Sequence, residues 1–222
     1  MTETTLYYSP GAISLPVHMV LRELALPFAL RAVPTGSEAH LAEAYLATNP
    51  VGRVPALASE GRVLTETQAI LRHLSARAGG ALLPADPWER ARVDELLARA
   101  LTMAQPAYRL VMRPDRFVGP EASEAVLEAV RASARREFRV SLGHLERGVD
   151  LEGWAVGEGI TLADPVLATL TSWARFARIE LTAWPRLRRI GRSFFARPSA
   201  REALRAEGLV DAEGRPTPPA RV

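Results

Sequence analysis

A chain of 222 residues that is 48% hydrophobic and 24% charged has the composition of a folded globular protein, and it exceeds the length of one ordinary domain. No apolar run approaches the ~20 residues of a membrane-spanning helix, and Met1-Thr2-Glu3-Thr4-Thr5 lacks the charged and apolar regions of a secretory signal, so no membrane partner and a cytoplasmic location are expected. The sequence contains no cysteine, which excludes disulfides, thiolate metal ligands and a protein thiol nucleophile; any sulfur chemistry would use a ligand's sulfur.

All 28 basic residues are arginine, yet the net charge is only +3. The arginines are interleaved with carboxylates, as in Trp88 to Arg99, which reads as a solvated helix face rather than a nucleic-acid surface. In chain order, Thr5 to Tyr8 has the aromatic content of a strand, Pro10-Gly11 breaks it, and Ser14 to Leu26 reads as a helix ended by Pro27. Phe28 to Val33 suits a second strand, and Glu38 to Ala47 a short Ala-rich helix closed by Asn49-Pro50. Arg53 to Ala58 and Arg62 to Thr65 form a hairpin pattern around Ser59-Glu60-Gly61, followed by a helix from Glu66 to Ala78. This order predicts a small mixed sheet covered by helices.

Gly79-Gly80 and Pro84-Ala85-Asp86-Pro87 mark a domain boundary. Beyond it the pattern is helical: Trp88 to Met112, Glu121 to Gly148, Leu162 to Arg178, Trp184 to Phe195 and Ser199 to Glu207. The expected division is a mixed α/β domain over 1–80, an all-α domain over 88–207 and an extended tail over 208–222. Within the helical half, Thr161 is expected to cap a helix while Asp164 reaches back to the N–H of Thr161, a purely structural device.

The opening stretch is the natural place for a site. A strand feeds a tight turn and then a helix start, whose unpaired N–H groups and partial positive charge favour an anion or a thiolate. Three further features accompany it: Asn49-Pro50-Val51-Gly52-Arg53-Val54-Pro55-Ala56-Leu57, Leu64-Thr65-Glu66-Thr67-Gln68-Ala69-Ile70, and the helical half with its Thr161/Asp164 pair. Together they resemble the cytosolic glutathione transferases over nearly the whole chain. Tyr7-Tyr8-Ser9-Pro10-Gly11-Ala12 and Arg113-Pro114-Asp115 look most like the bacterial beta class.

The resemblance implies a thioredoxin-like domain followed by a helical-bundle domain, glutathione as co-substrate, no metal, and a small hydrophobic electrophile in a detoxifying conjugation. It also implies a homodimer, formed through the helical domain and the hairpin edge around Arg62. Val54-Pro55 would be the family's cis-proline turn, presenting the N–H and C=O of Val54 to the peptide backbone of glutathione as an added strand would. The hydroxyl of Thr67 and nearby N–H groups would hold the γ-glutamyl carboxylate, Glu66 would accept the ammonium, and Arg53 would contact a glutathione carboxylate.

The chain also departs from the beta class. Ile13 stands at its cysteine, Gln105 at its histidine and Ala98 at its asparagine. The thiolate then needs another donor, for which Ser14 ranks first, Tyr8 second and Ser9 third; each also has a plain structural role, Ser14 as a cap and Tyr8 as packing. The electrophile would meet Ile13, Tyr108, Arg109, Met112, Trp173 and Phe176 in a cleft between the domains, although such residues equally suit a core. His18, His40, His73 and His144 show neither metal-ligand spacing nor an evident Ser or carboxylate partner. The leading expectation is a conjugating glutathione transferase. The alternatives are a non-catalytic ligand-binding protein of the same fold, motivated by Ile13, Gln105 and the absence of lysine, and a glutathione-dependent isomerase or dehalogenase.

Overall fold

The computed structural model describes residues 4–35, 39–119 and 121–211. The readings placed on Met1 to Glu3, on Glu38 and on 212–222 of the tail lie outside the described residues. The chain forms two compact units, one of residues 1–81 with 195–222 and the other of residues 82–194.

In the first unit, β1 (Thr5–Tyr8), α1 (Leu15–Glu23) and β2 (Ala29–Ala32) form a parallel βαβ unit. A 3₁₀ turn at Ala39–Leu41 and α2 (Glu43–Leu46) follow, then the antiparallel hairpin β3 (Ala56–Ser59) and β4 (Arg62–Thr65), and α3 (Thr67–Arg77). The sheet order is β2-β1-β3-β4, with β3 antiparallel to β1, the arrangement expected of a thioredoxin-like domain. Leu6, Val17, Val20, Leu21, Leu57, Ile70, Leu71 and Leu74 are all buried, so the inward faces of α1 and α3 meet the sheet through aliphatic side chains.

The helix α10 (Pro198–Ala206), expected to belong with the helical half, packs instead on α1 in this first unit. Polar contacts explain the change of place. Arg197 Nε donates to Glu23 at 3.0 Å, Ser199 bonds the same carboxylate, and Arg22 pairs with Glu202 at 3.0 Å.

The second unit is all-α. A continuous helical segment runs through α4 (Pro87–Arg99), a π-helical turn at Ala100–Ala104 and α5 (Gln105–Met112). The π turn lies just ahead of Pro106, which has no N–H to give the carbonyl one turn back, so the regular bonding of the segment is interrupted there. Asp86 caps α4 by accepting the Glu89 N–H at 2.9 Å, and Glu95 bridges Arg92 and Arg99 on its surface, as the charge pattern suggests. The short α6 (Asp115–Val118) leads to α7 (Glu124–Gly148), which starts three residues later than expected because Ser123 is its cap. Then come α8 (Ala163–Phe176), a 3₁₀ turn at Leu181–Ala183 and α9 (Pro185–Phe195). Gly191 lets α9 lie close on α8, since a Cβ there would stand 2.3 Å from the Thr171 hydroxyl.

The Asp164 half of the expected capping box forms: its carboxylate accepts the Thr161 N–H at 2.7 Å. The other half differs. The Thr161 hydroxyl donates to Asp164 at 2.8 Å rather than accepting from the helix, and the second carboxylate oxygen takes the Ala155 N–H at 2.8 Å. Asp164 therefore stitches the 155–161 loop to the start of α8. Burial outweighs these bonds and lifts its carboxyl from 3.8 to about 6.

Between those values the folded chain holds a proton that the unfolded chain has released. The contribution to stability is present below the window and is lost as the pH rises through it, by on the order of 3 kcal/mol. In urea unfolding, Thr161→Ala is expected to be about 1–2 kcal/mol less stable than the parent. The stability difference between parent and Asp164→Asn is expected to favour the parent more at about pH 4 than at about pH 7; a difference independent of pH would contradict this.

Candidate functional site

One rung of the sheet gathers the polar end of the first unit. Tyr7 of β1 lies opposite Ala56 of β3, and Ala56 opposite Thr65 of β4. Beyond that rung, three strands release their chains at the same end of the sheet: Tyr8 and Ser9 into the turn before α1, Val54-Pro55 into β3, and Glu66-Thr67 out of β4 into α3. The register thus brings together Tyr8, Ser9, Ile13, Ser14, Val54, Pro55, Glu66 and Thr67.

The turn is tightly wired. Ala12 donates its N–H to the Ser9 carbonyl at 3.0 Å. The Ser14 hydroxyl, 0% exposed, accepts the Ser9 N–H and donates to the Ser9 C=O, both at 3.2 Å. In this structure its single proton goes to the Ser9 carbonyl, and Ser14 acts as a clasp of the backbone. The buried Ser9 hydroxyl is turned towards Thr35, accepting its N–H at 3.4 Å. Tyr8 is partly buried, and burial together with the Glu207 carboxylate pushes its phenol above the usual range, which keeps it a protonated donor. Neither the N–H of Ile13 nor that of Ser14 has a partner among the described residues.

Val54-Pro55 is a cis peptide. The N–H and C=O of Val54 are likewise without partners among the described residues. The loop before it is held by its own side chains: the Arg53 carbonyl accepts the Tyr45 hydroxyl at 2.6 Å and the Asn49 amide at 2.7 Å, leaving the Arg53 side chain exposed. Gly52, at φ +62, fits where a Cβ would approach the His40 carbonyl to 3.0 Å.

At the third chain, Glu66 takes φ +68 and ψ +120, a conformation that costs a residue with a side chain about 1–3 kcal/mol. This bend turns the exposed Glu66 side chain out and starts α3 at once. The buried Thr67 hydroxyl donates to the Ile13 carbonyl at 3.3 Å, tying α3 to the turn. It is therefore engaged within the fold, and the first-turn N–H groups of α3, which have no acceptor in their own helix, are what the site presents.

Sequence reasoning missed a buried network. His18 Nδ1 lies 2.9 Å from Glu207 Oε1, so the histidine that showed no carboxylate partner in the sequence has one 189 residues away. Glu207 Oε2 accepts the Gly11 N–H, and Arg22 Nε donates to His18 Nε2, each at 2.9 Å. No local pattern signals a contact at such separation.

In the helical unit, Tyr108 stacks on Trp173 with centroids 4.4 Å apart and planes 7° from parallel, and its ring also meets Phe138 at 5.6 Å. Trp173 is only 3% exposed and packs in the core of this unit. Burial pushes the Tyr108 phenol far above its ordinary range. Arg109 lies over Phe117 at 5.5 Å, Met112 is exposed and Phe176 half-buried. Among the described residues no group of three or more His, Cys, Asp or Glu is placed to hold a metal ion, and no helix is long and apolar enough to cross a membrane.

Residues 6–82 match the family model of the glutathione S-transferase N-terminal domain, and residues 99–198 that of the C-terminal domain. The chain is 30% identical over 208 residues to the glutathione S-transferase GstA of Escherichia coli O157:H7, covering 92% of this chain and 98% of that protein. It is 33% identical over 205 residues to the maleylacetoacetate isomerase of Pseudomonas aeruginosa, covering 90% and 93%. A solved glutathione transferase homologue from Sulfitobacter, with bound glutathione, superposes with a TM-score of 0.84 at 30% identity, covering 95% of this chain and 100% of that one.

The Ser14 clasp makes a direct prediction. Ser14→Ala leaves the buried Ser9 N–H without an acceptor and is expected to lose about 1–3 kcal/mol in urea unfolding. Parental stability in that variant would contradict the clasp.

Proposed function

The chain belongs to the glutathione S-transferase family, and from that membership we propose that it binds glutathione at the polar end of its sheet and transfers the thiolate to a small hydrophobic electrophile. The observation that carries the reading is the juxtaposition, just beyond the Ala56–Thr65 rung, of Val54's unpaired backbone and the strained Glu66 at the start of α3. A strained residue there is consistent with a position held for binding rather than for stability.

In this reading the Val54 N–H and C=O pair with the cysteinyl backbone of glutathione, the start of α3 with Thr67 holds the γ-glutamyl carboxylate, and Glu66 accepts the ammonium. Arg53, exposed beside Val54, contacts the other carboxylate. The sulfur then lies at the turn. Lowering a thiol from about 8.5 to about 6.5 takes roughly 2.7 kcal/mol of preference for the thiolate. With Ser14 engaged, the Ile13 and Ser14 N–H groups, the start of α1 and the Tyr8 hydroxyl supply it. Ile13 gives the sulfur an apolar neighbour and no bond. Arg109, Met112 and Phe176 are the candidates for the electrophile, with Tyr108, which stacks on Trp173. A second copy of the chain docks through the helical unit and the outer edge of β4, where Val63 is 44% exposed.

The likeness to maleylacetoacetate isomerase favours one second reading, in which the same thiolate adds reversibly to a conjugated double bond and is released again. A conjugate that accumulates separates transfer from isomerisation, in which glutathione is not consumed. For the binding site itself, calorimetry should give saturable glutathione binding that Glu66→Gln weakens by about 10- to 100-fold, the worth of a bond to a charged group. Unchanged affinity in that variant, or a parent that binds no glutathione, would overturn the proposal.

A further inference from the structure

The end of α10 carries a carboxylate into the interior of the opening turn. Glu207 and His18 have side chains that are 0% exposed, and each bond around them has a defined donor. Arg22 Nε–H donates to His18 Nε2 at 2.9 Å, which makes that nitrogen the acceptor and puts the ring proton on Nδ1. Nδ1–H in turn donates to Glu207 Oε1 at 2.9 Å, and the Gly11 N–H donates to Oε2 at 2.9 Å. The Phe28 ring meets His18 edge-on at 5.5 Å and Arg22 at 5.6 Å, walling the network on one side.

Docking α10 does not need this group. Arg197 and Ser199 on Glu23, and Arg22 on Glu202, already bind the helix at or near the surface, and a buried carboxylate is costly unless its bonds serve something else. What these bonds hold is Gly11, two residues before Ile13. We propose that Glu207 is a positioning residue for the glutathione sulfur: by fixing the Gly11 amide it sets the turn whose unpaired Ile13 and Ser14 N–H groups face the thiolate. The inference rests on the glutathione reading given above. Glu207 also lies near Tyr8 and opposes its ionisation, so the phenol stays a donor to the sulfur rather than a second anion beside it.

Glu207→Gln tests the role with a built-in sign. The amide has one acceptor oxygen, so either Gly11 N–H or His18 Nδ1–H must face its NH₂ group, and the turn shifts. The expected result is that the ultraviolet thiolate band of bound glutathione titrates about one pH unit higher and kcat with a halonitroarene falls about tenfold, while glutathione affinity stays within about threefold. A field effect alone would move the titration to lower pH, because removing a carboxylate relieves its repulsion of the thiolate. Arg197→Gln, which loosens α10 without touching the turn, should lower the melting temperature and leave the titration at its parental pH. If Glu207→Gln does not fold, Glu207→Asp, which keeps both oxygens but withdraws them by one methylene, should move the titration in the same upward direction. A parental or lowered titration in the folded Glu207 variant, or an equal rise in Arg197→Gln, would overturn the positioning role while glutathione binding by the parent still stands. A parent that binds no glutathione would overturn the reading beneath it.

Discussion

The Ser14 hydroxyl bonds both backbone groups of Ser9, and this closed loop determines what the rest of the sheet end can do. It sets the angle at which α1 leaves β1 and leaves the N–H groups of Ile13 and Ser14 unpaired at the helix start. Thr67 then ties α3 to the same loop through the Ile13 carbonyl, and Glu207 ties the end of α10 to it through Gly11. Three helices thus converge on one short turn, and each uses a side chain that a bond within the fold already occupies. The hydroxyls of the turn are engaged internally, and the groups it leaves unpaired are backbone amides.

That division of labour bears on the missing cysteine. A side-chain thiol or hydroxyl at position 13 would offer glutathione a direct partner, whereas Ile13 offers only its amide. A helix start and one or two N–H donors lie in the range needed to favour a thiolate by a few kcal/mol. The chemistry proposed for this chain is therefore electrostatic stabilisation by fixed dipoles, and it depends on how well the turn is held.

Much of this was legible in the residues. The hairpin at Ser59-Glu60-Gly61 and the end of α1 before Pro27 act through local chain chemistry, so pattern reading located them, whereas the cis turn at Val54-Pro55 was implied by the family resemblance. The family resemblance correctly anticipated a thioredoxin-like fold followed by a helical one. Local reading failed where a distant partner decides. His18, Arg22 and Glu207 form a network across most of the chain's length, and α10 joins the first unit through charges on Glu23 and Glu202 that carry no spacing signature. Tyr108 and Trp173 illustrate the same limit, since they come from two different helices and no spacing in the sequence signals that they stack.

The central claim is that the backbone at the start of α1, and not the Ser14 hydroxyl, meets the sulfur. A crystal structure with glutathione bound measures this directly. The sulfur is expected within about 3.5 Å of the Ile13 or Ser14 N–H, with the cysteinyl backbone paired with Val54 and Ser14 Oγ still bonded to Ser9. A sulfur held by Ser14 Oγ, with the Ser9 clasp broken, would contradict it.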